Sequence, residues 1–232
     1  MHANTPSLSW LAGAALLLAV GIPGLLQANE MRELVNEDAS IFHEKQASGK
    51  PIPTEILKRA SGIGIIEVTK GAAGIGGAYG EGIIIARVGK GWSAPFAFTQ
   101  GGGSVGVQLG VDIKRYVYVF NSEKAMRSFT SSDKANFEAV AKATAGPDHY
   151  TETADNGLPS CPCYLYVYAL SEGAFAGASV GGQLVGNSNE TNVNAYGTDN
   201  PDTILGGRVP QPPYSQWLYK SLNAAMNAAT SK

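Results

Sequence analysis

The chain has 232 residues, a formal net charge of −2 and only 16% charged residues, with glycine at 29 positions. That length supports one domain with a buried core. So little charge argues against intrinsic disorder, and 17 Lys and Arg against 19 Asp and Glu leave no basic excess for a nucleic-acid binder.

At the N-terminus an apolar run from Ser7 to Val20 is followed by Gly21, Pro23 and Gly24 and then the small residue Ala28. The pattern predicts a signal peptide over residues 1–28, removed on export, and a mature domain over 29–232. An uncleaved membrane anchor over residues 8–26 is the alternative. The expected location is therefore exported, periplasmic or secreted, and membrane-associated.

Residues 30–48 place Leu34, Val35, Ile41 and Phe42 on one side of a helix, with Asn29 as its expected N-cap. Pro51 and Pro53 end it, and a short second helix follows over 54–60. From Ser61 the pattern turns to strands at residues 62–68, 82–88, 92–99, 105–113 and 116–120, with a turn at 89–91. In Val105 to Ile113 every odd position is a large aliphatic. Asn121 or Ser122 caps a short helix through Phe129. Residues 135–145 fit either a helix or a strand. Residues 164–170 and 175–184 read as a hairpin around Ser171-Glu-Gly173, residues 186–203 as loop, and 214–229 as a closing helix. The fold expected is α+β and β-rich: one domain with a six- to eight-stranded antiparallel sheet or sandwich and helices at both ends.

Little in the chain points to catalysis. Gly101-Gly-Gly-Ser-Val-Gly106 fits both the dinucleotide loop and the nucleophile-elbow spacing, yet a strand follows where each needs a helix. A triad through Ser104 would have to use Asp112 or Asp133 with His149. Cys161 and Cys163 flank one proline and read as two thiols or a strained disulfide, with too few further ligands for a metal. No cofactor motif stands in its required context. In the two glycine clusters, Gly74, Gly76, Gly77 and Gly80 and then Gly101, Gly102 and Gly103 are candidates for a backbone anion nest. The competing reading is bends and close strand packing.

The ordered set of Ala60-Ser-Gly-Ile-Gly-Ile-Ile66, the glycine run from Lys70 to Gly82, Gly91-Trp-Ser-Ala-Pro95 and Gly101 to Gly110 resembles the SYLF domain family. Ala145-Gly-Pro147, Phe175 to Ser179, and Tyr196-Gly197 with Ile204-Leu-Gly206 extend the resemblance over about residues 30–228. It implies a non-enzymatic module that binds lipid or a membrane surface, in the manner of stand-alone exported bacterial members. Eukaryotic members bind phosphoinositides, fungal cortical-patch members bind actin, and both usually carry SH3 or FYVE domains beside the module. An exported chain would not meet actin, so a structural or envelope protein binding a protein partner is the alternative, with a membrane-associated actin-binding module the expectation for a cytosolic chain. Headgroup candidates are Lys58, Arg59, Lys70, Lys114 and Arg115. Asp148 and His149 stand where members of the family commonly carry glycine and arginine, which counts against tight phosphoinositide binding.

Overall fold

Gly62-Ile-Gly-Ile-Ile-Glu-Val68 sets large aliphatics at successive positions, which a strand buries fully only when both its faces are covered. The computed structural model, which describes residues 23–130, 135–136, 150–153, 165–181 and 184–228, has that arrangement. Helices α1 (Pro23–Ala47) and α2 (Thr54–Arg59) lead into strands β1 (Gly62–Val88), β2 (Gly91–Trp92) and β3 (Phe96–Phe120). After α3 (Glu123–Thr130) come β4 (Ala135–Asn136), β5 (Tyr150–Thr153), β6 (Leu165–Gly181) and β7 (Leu184–Asn187). The chain ends in α4 (Asn189–Tyr196), α5 (Pro201–Ile204), a 3₁₀ turn at Pro213–Ser215 and α6 (Gln216–Asn227). The seven strands form one α+β sheet that does not close into a barrel, within a single domain.

Strand β3 organises the sheet. One edge pairs with β1 from Phe96 to Phe120; the other takes β7 at Phe98–Gly101 and β6 from Ser104 to Phe120. All these pairs are antiparallel, and among the described strands only β5 and β6 pair in parallel. The α1 face buries Ile63, Ile65, Ile83, Ile85, Val117 and Val119 under Met31, Val35, Ala39 and Phe42 of α1 and Leu218 and Leu222 of α6. The alternate residues Ile66, Val68, Ile84, Tyr118, Phe120 and Val167 pack on the other face with Met126 and Phe129 of α3 and Ile204 of α5. Truncating a side chain such as the fully buried Phe42 to alanine would cost about 3–5 kcal/mol.

Strand β1 is not straight. Its register against β3 shifts between Ala73 and Ile75, at Gly74, and beyond that point its second arm returns across the first. The Arg87 N–H donates to the Ser61 carbonyl at 2.8 Å, tying the two ends of the strand together. A Cβ at Gly80 would lie 2.9 Å from Val68 Cα, and one at Gly82 2.8 Å from Ile66 Cα. The arms therefore cross backbone to backbone, and glycine is required where they touch.

Side chains from the helices fasten this ribbon. The buried Asp38 of α1 accepts the Ile83 N–H at 2.8 Å. The Asn192 amide of α4, fully buried, accepts the Ala97 N–H and donates to the Ala97 carbonyl, both at 2.8 Å. Tyr118 donates its hydroxyl proton to Gln100 Oε1 at 2.6 Å inside the second core.

Four sequence expectations are corrected. Among the described residues helix α1 already runs from Pro23, so Asn29 lies inside it and is not its N-cap. Ser171 to Gly173 do not turn: they pair with Lys114 to Asp112, because the long β3 offers β6 a continuous template. Residues 186–203 contain helices α4 and α5. Gly197, at φ 71°, closes α4, and the Asn200 side chain accepts the Thr203 N–H ahead of α5. The glycine clusters are strand, with Gly77 opposite Gly103, Ala78 opposite Gly102 and Tyr79 opposite Gly101. Among the described residues positive φ occurs only at Gly89, Gly197 and Gly207, so none of the nest candidates has the alternating geometry an anion nest needs. Close strand packing accounts for Gly80 and Gly101, whereas Gly77 and Gly103 have open space at their Cβ positions.

Candidate functional site: a basic cleft at the end of the ribbon

Where α2 ends, β1 finishes and α3 and α5 pack together, the surface opens into a cleft of about 590 Å³. Met126 and Leu205, both nearly buried, form the apolar part of a lining that is polar for the larger share. Four cations line it, Lys58, Arg59, Arg87 and Arg127, against two carboxylates, Glu123 and Asp202. The cleft thus carries an excess of two positive charges in a chain whose net charge is −2.

The four cations are held differently. Arg87 is fixed: its guanidinium lies 3.9 Å from the Trp92 ring centroid and reaches the Leu57 and Ala60 carbonyls at 3.4 Å. It thereby covers carbonyls at the C-terminal end of α2 and stacks on an aromatic face. Burial lowers its pKa from the ordinary arginine value, yet arginine stays charged at any physiological pH. Lys58 bonds Glu55 at 3.1 Å on an open helix surface, a contact worth little. Arg59 is exposed and makes no ion pair among the described residues. Arg127 of α3 meets Glu123 at 2.9 Å on its own helix and Asp202 of α5 in a very short contact, and both partners raise its pKa. That pair joins two helices across one wall of the cleft.

A second depression, of about 440 Å³, lies some six residues back along the β1 arms, roughly 20 Å at the strand rise. Glu30, Glu33 and Glu37 of α1 face Glu67, Glu81 and the exposed Tyr79 there. Asp38, buried beside it, has its pKa raised well above the carboxylate range, first by burial and then by Glu37, Glu67 and Glu81. The near-neutral total thus conceals a molecule with one basic cleft and one acidic groove. Among the described residues no group of three or more His, Cys, Asp or Glu is arranged to hold a metal ion. No described helix is long and apolar enough to cross a membrane.

The structure divides the headgroup candidates. Lys58 and Arg59 share the cleft. Lys70 and Lys114 lie on one face of the ribbon, diagonal across the β1–β3 ladder, with Lys114 3.7 Å from Asp112. Arg115 is on the opposite face, bonded to Glu67 at 2.8 Å and Glu44 at 3.1 Å. Arg87 and Arg127, which complete the cleft, were not among the sequence candidates. A charge next to last in an apolar strand was the available signal for Arg87. Arg127 gave none beyond its place on a short amphipathic helix. Cys161, Cys163, Asp133, His149 and the 1–22 stretch of the expected signal lie outside the described residues.

Residues 101–225, from within β3 to the last turns of α6, match a family model described as "Ysc84: Las17-binding protein actin regulator". Protein YSC84 of Saccharomyces cerevisiae is 35% identical over 176 residues, 75% of this chain. The chain belongs to the Ysc84 (SYLF) family. LAS seventeen-binding protein 3 of S. cerevisiae is 32% identical over 191 residues, 80% of the chain. The human SH3 domain-containing YSC84-like protein 1 is 27% identical over 200 residues, 85% of the chain. The chain spans 38% and 42% of the two yeast proteins and 58% of the human one. No solved structure matches it. This SYLF chain thus shares its domain with binding and adaptor modules and not with a known enzyme family.

Proposed function

We propose that this SYLF domain is a non-catalytic, exported module that holds to an anionic membrane surface through its basic cleft. The observation that carries the reading is the separation of charge. Lys58, Arg59, Arg87 and Arg127 gather at one end of the ribbon, while five glutamates line a groove farther back. The exposed Lys90 directly follows Gly89 of the cleft, Arg208 comes two residues after Gly206, and the exposed apolar Val88 lies on the rim. A negative surface would orient such a molecule cleft first, since local potential and not net charge governs the approach. Each cation near an anionic leaflet adds about 1 kcal/mol of attraction.

Co-sedimentation of the chain with neutral and anionic vesicles, at low and high salt, tests this. Pelleting with anionic vesicles that fades at high salt is expected. Equal, salt-insensitive pelleting with both would replace the reading with apolar attachment.

The yeast relative named LAS seventeen-binding protein 3 favours a second reading, capture of a protein partner. For this chain the acidic groove with its exposed Tyr79 would suit a basic segment. Stoichiometric capture of such a partner in the absence of lipid would favour it over the membrane reading.

A further inference from the structure

We infer that this chain self-associates through the outer edge of β6, which pairs antiparallel with the same edge of a second copy about a two-fold axis at Phe175. Two independent observations meet at that residue. The first is a gap in the sheet. On its inner edge β6 is paired with β3 without interruption, from Leu165 to Gly181. On its outer edge β5 covers only Leu165 to Tyr168, and the next cover is β4, at Leu184 and Val185 of β7. Among the described residues nothing pairs with the outer edge from Ala169 to Gly181, roughly 40 Å of strand with Phe175 at its midpoint. Backbone N–H and C=O groups along such an edge are a template for another strand, which proteins usually block with lysine, proline or a bulge. This stretch has no proline and no register shift against β3, and Glu172 is its only charge.

The second observation is in the sequence. Ala169-Leu-Ser-Glu-Gly-Ala-Phe-Ala-Gly-Ala-Ser-Val-Gly181 reads almost the same in both directions about Phe175. A two-fold axis there sets Ala174 opposite Ala176, Gly173 opposite Gly177, Ser171 opposite Ser179 and Leu170 opposite Val180 of the second copy. Glu172 meets Ala178 and not the other Glu172, so the one charge on the edge is never set against its like. Moving the axis by one residue would put Phe175 opposite a glycine and lose these matches, so the register is specified. The interface is isologous and closes at two copies, because each edge is used once. β5 and β4 stand at either end of the gap, which confines the new ladder to the residues around the axis. The inference is independent of the basic cleft and of its membrane reading.

Sedimentation equilibrium of the full chain, from micromolar to millimolar concentration, tests this, and a monomer–dimer equilibrium is expected. Ala178→Glu sets a carboxylate opposite each Glu172 and is expected to weaken the dimer about two- to thirtyfold. Adding Glu172→Lys turns both contacts into opposite-charge pairs and should restore the dimer to at least the strength of the parent. Within one chain, positions 172 and 178 are about 20 Å apart along the strand, beyond the screening length at physiological salt, so rescue reports contact between copies. Ala178→Lys, which meets Glu172 of the second copy as an opposite charge, should tighten the dimer about two- to thirtyfold, a gain that misfolding does not produce. Lys220→Glu, on the exposed side of α6, should associate as the parent does. A parent that stays monomeric throughout would overturn the inference. So would a dimer that Ala178→Glu does not weaken and Ala178→Lys does not tighten.

Discussion

Replacing Gly82 with alanine probes the feature that gives the ribbon its shape. The new Cβ would sit 2.6 Å from Ile66 Cβ and 2.8 Å from Ile66 Cα, with the Ile65 carbonyl oxygen closer still. These atoms are backbone or joined directly to it, so no rotamer change relieves the clash and the arms of β1 must separate. Overpacking of this kind costs about 1–3 kcal/mol, and parting a crossing that underlies both cores belongs at the upper end. Gly77 and Gly103 supply the control within the same ribbon. Neither has any atom within 4 Å of its Cβ position, and alanine there should gain about 0.5–1 kcal/mol from reduced chain entropy. Urea unfolding followed by circular dichroism should therefore separate G82A from G77A by about 3.5–4 kcal/mol. For a domain of this size that is a difference of roughly 7–16 °C in Tm. Values for G82A and G77A within 0.5 kcal/mol of each other would refute the crossing.

Asn192→Ala should destabilise the domain by about 2 kcal/mol in urea titration, since it orphans the buried Ala97 N–H, while the Ala97 carbonyl keeps the Ser188 N–H at 3.1 Å. Asp38→Asn tests the buried carboxyl. Its raised pKa means the folded state keeps the proton to higher pH than the unfolded chain does. Parent stability should therefore fall as pH rises through that pKa, by up to about 1.4 kcal/mol per pH unit, while the asparagine variant keeps an acceptor for Ile83 and shows no such loss. Parallel stability–pH curves for the two proteins would count against it. Tyr118→Phe leaves Gln100 Oε1 without its 2.6 Å donor in the core and should cost about 1–2 kcal/mol by thermal melting.

Much of this architecture was legible because burial on two faces leaves an unmistakable mark. The apolar runs at residues 62–68, 82–88 and 116–120 fell on strands, and Ser122 accepts the Ala125 N–H at the start of α3 as the sequence predicts. Failures came where a distant partner overrode a local signal. Ser171-Glu-Gly173 has turn composition, yet pairing with β3 keeps it extended. The polar stretch around α4 has little apolar periodicity because Asn192 attaches it to the sheet by hydrogen bonds. Gly197 and the Asn200–Pro201 pair were sound helix-boundary signals there that hydrophobicity obscured. The candidate site was half legible. Lys58 and Arg59 stood out as an adjacent pair, but their meeting with Arg87 and Arg127 depends on the crossing of the β1 arms and the docking of α3. Residues 59, 87 and 127 are too far apart in sequence for spacing to show it.

The most direct test of the central claim is anionic-vesicle co-sedimentation of the Lys58→Glu/Arg59→Glu double variant beside Lys220→Glu. Loss of the two cleft attractions should cost at least about 2 kcal/mol, roughly a 30-fold weaker partition, while the α6 variant pellets like the parent. Equal pelleting of all three proteins would contradict membrane attachment through the basic cleft.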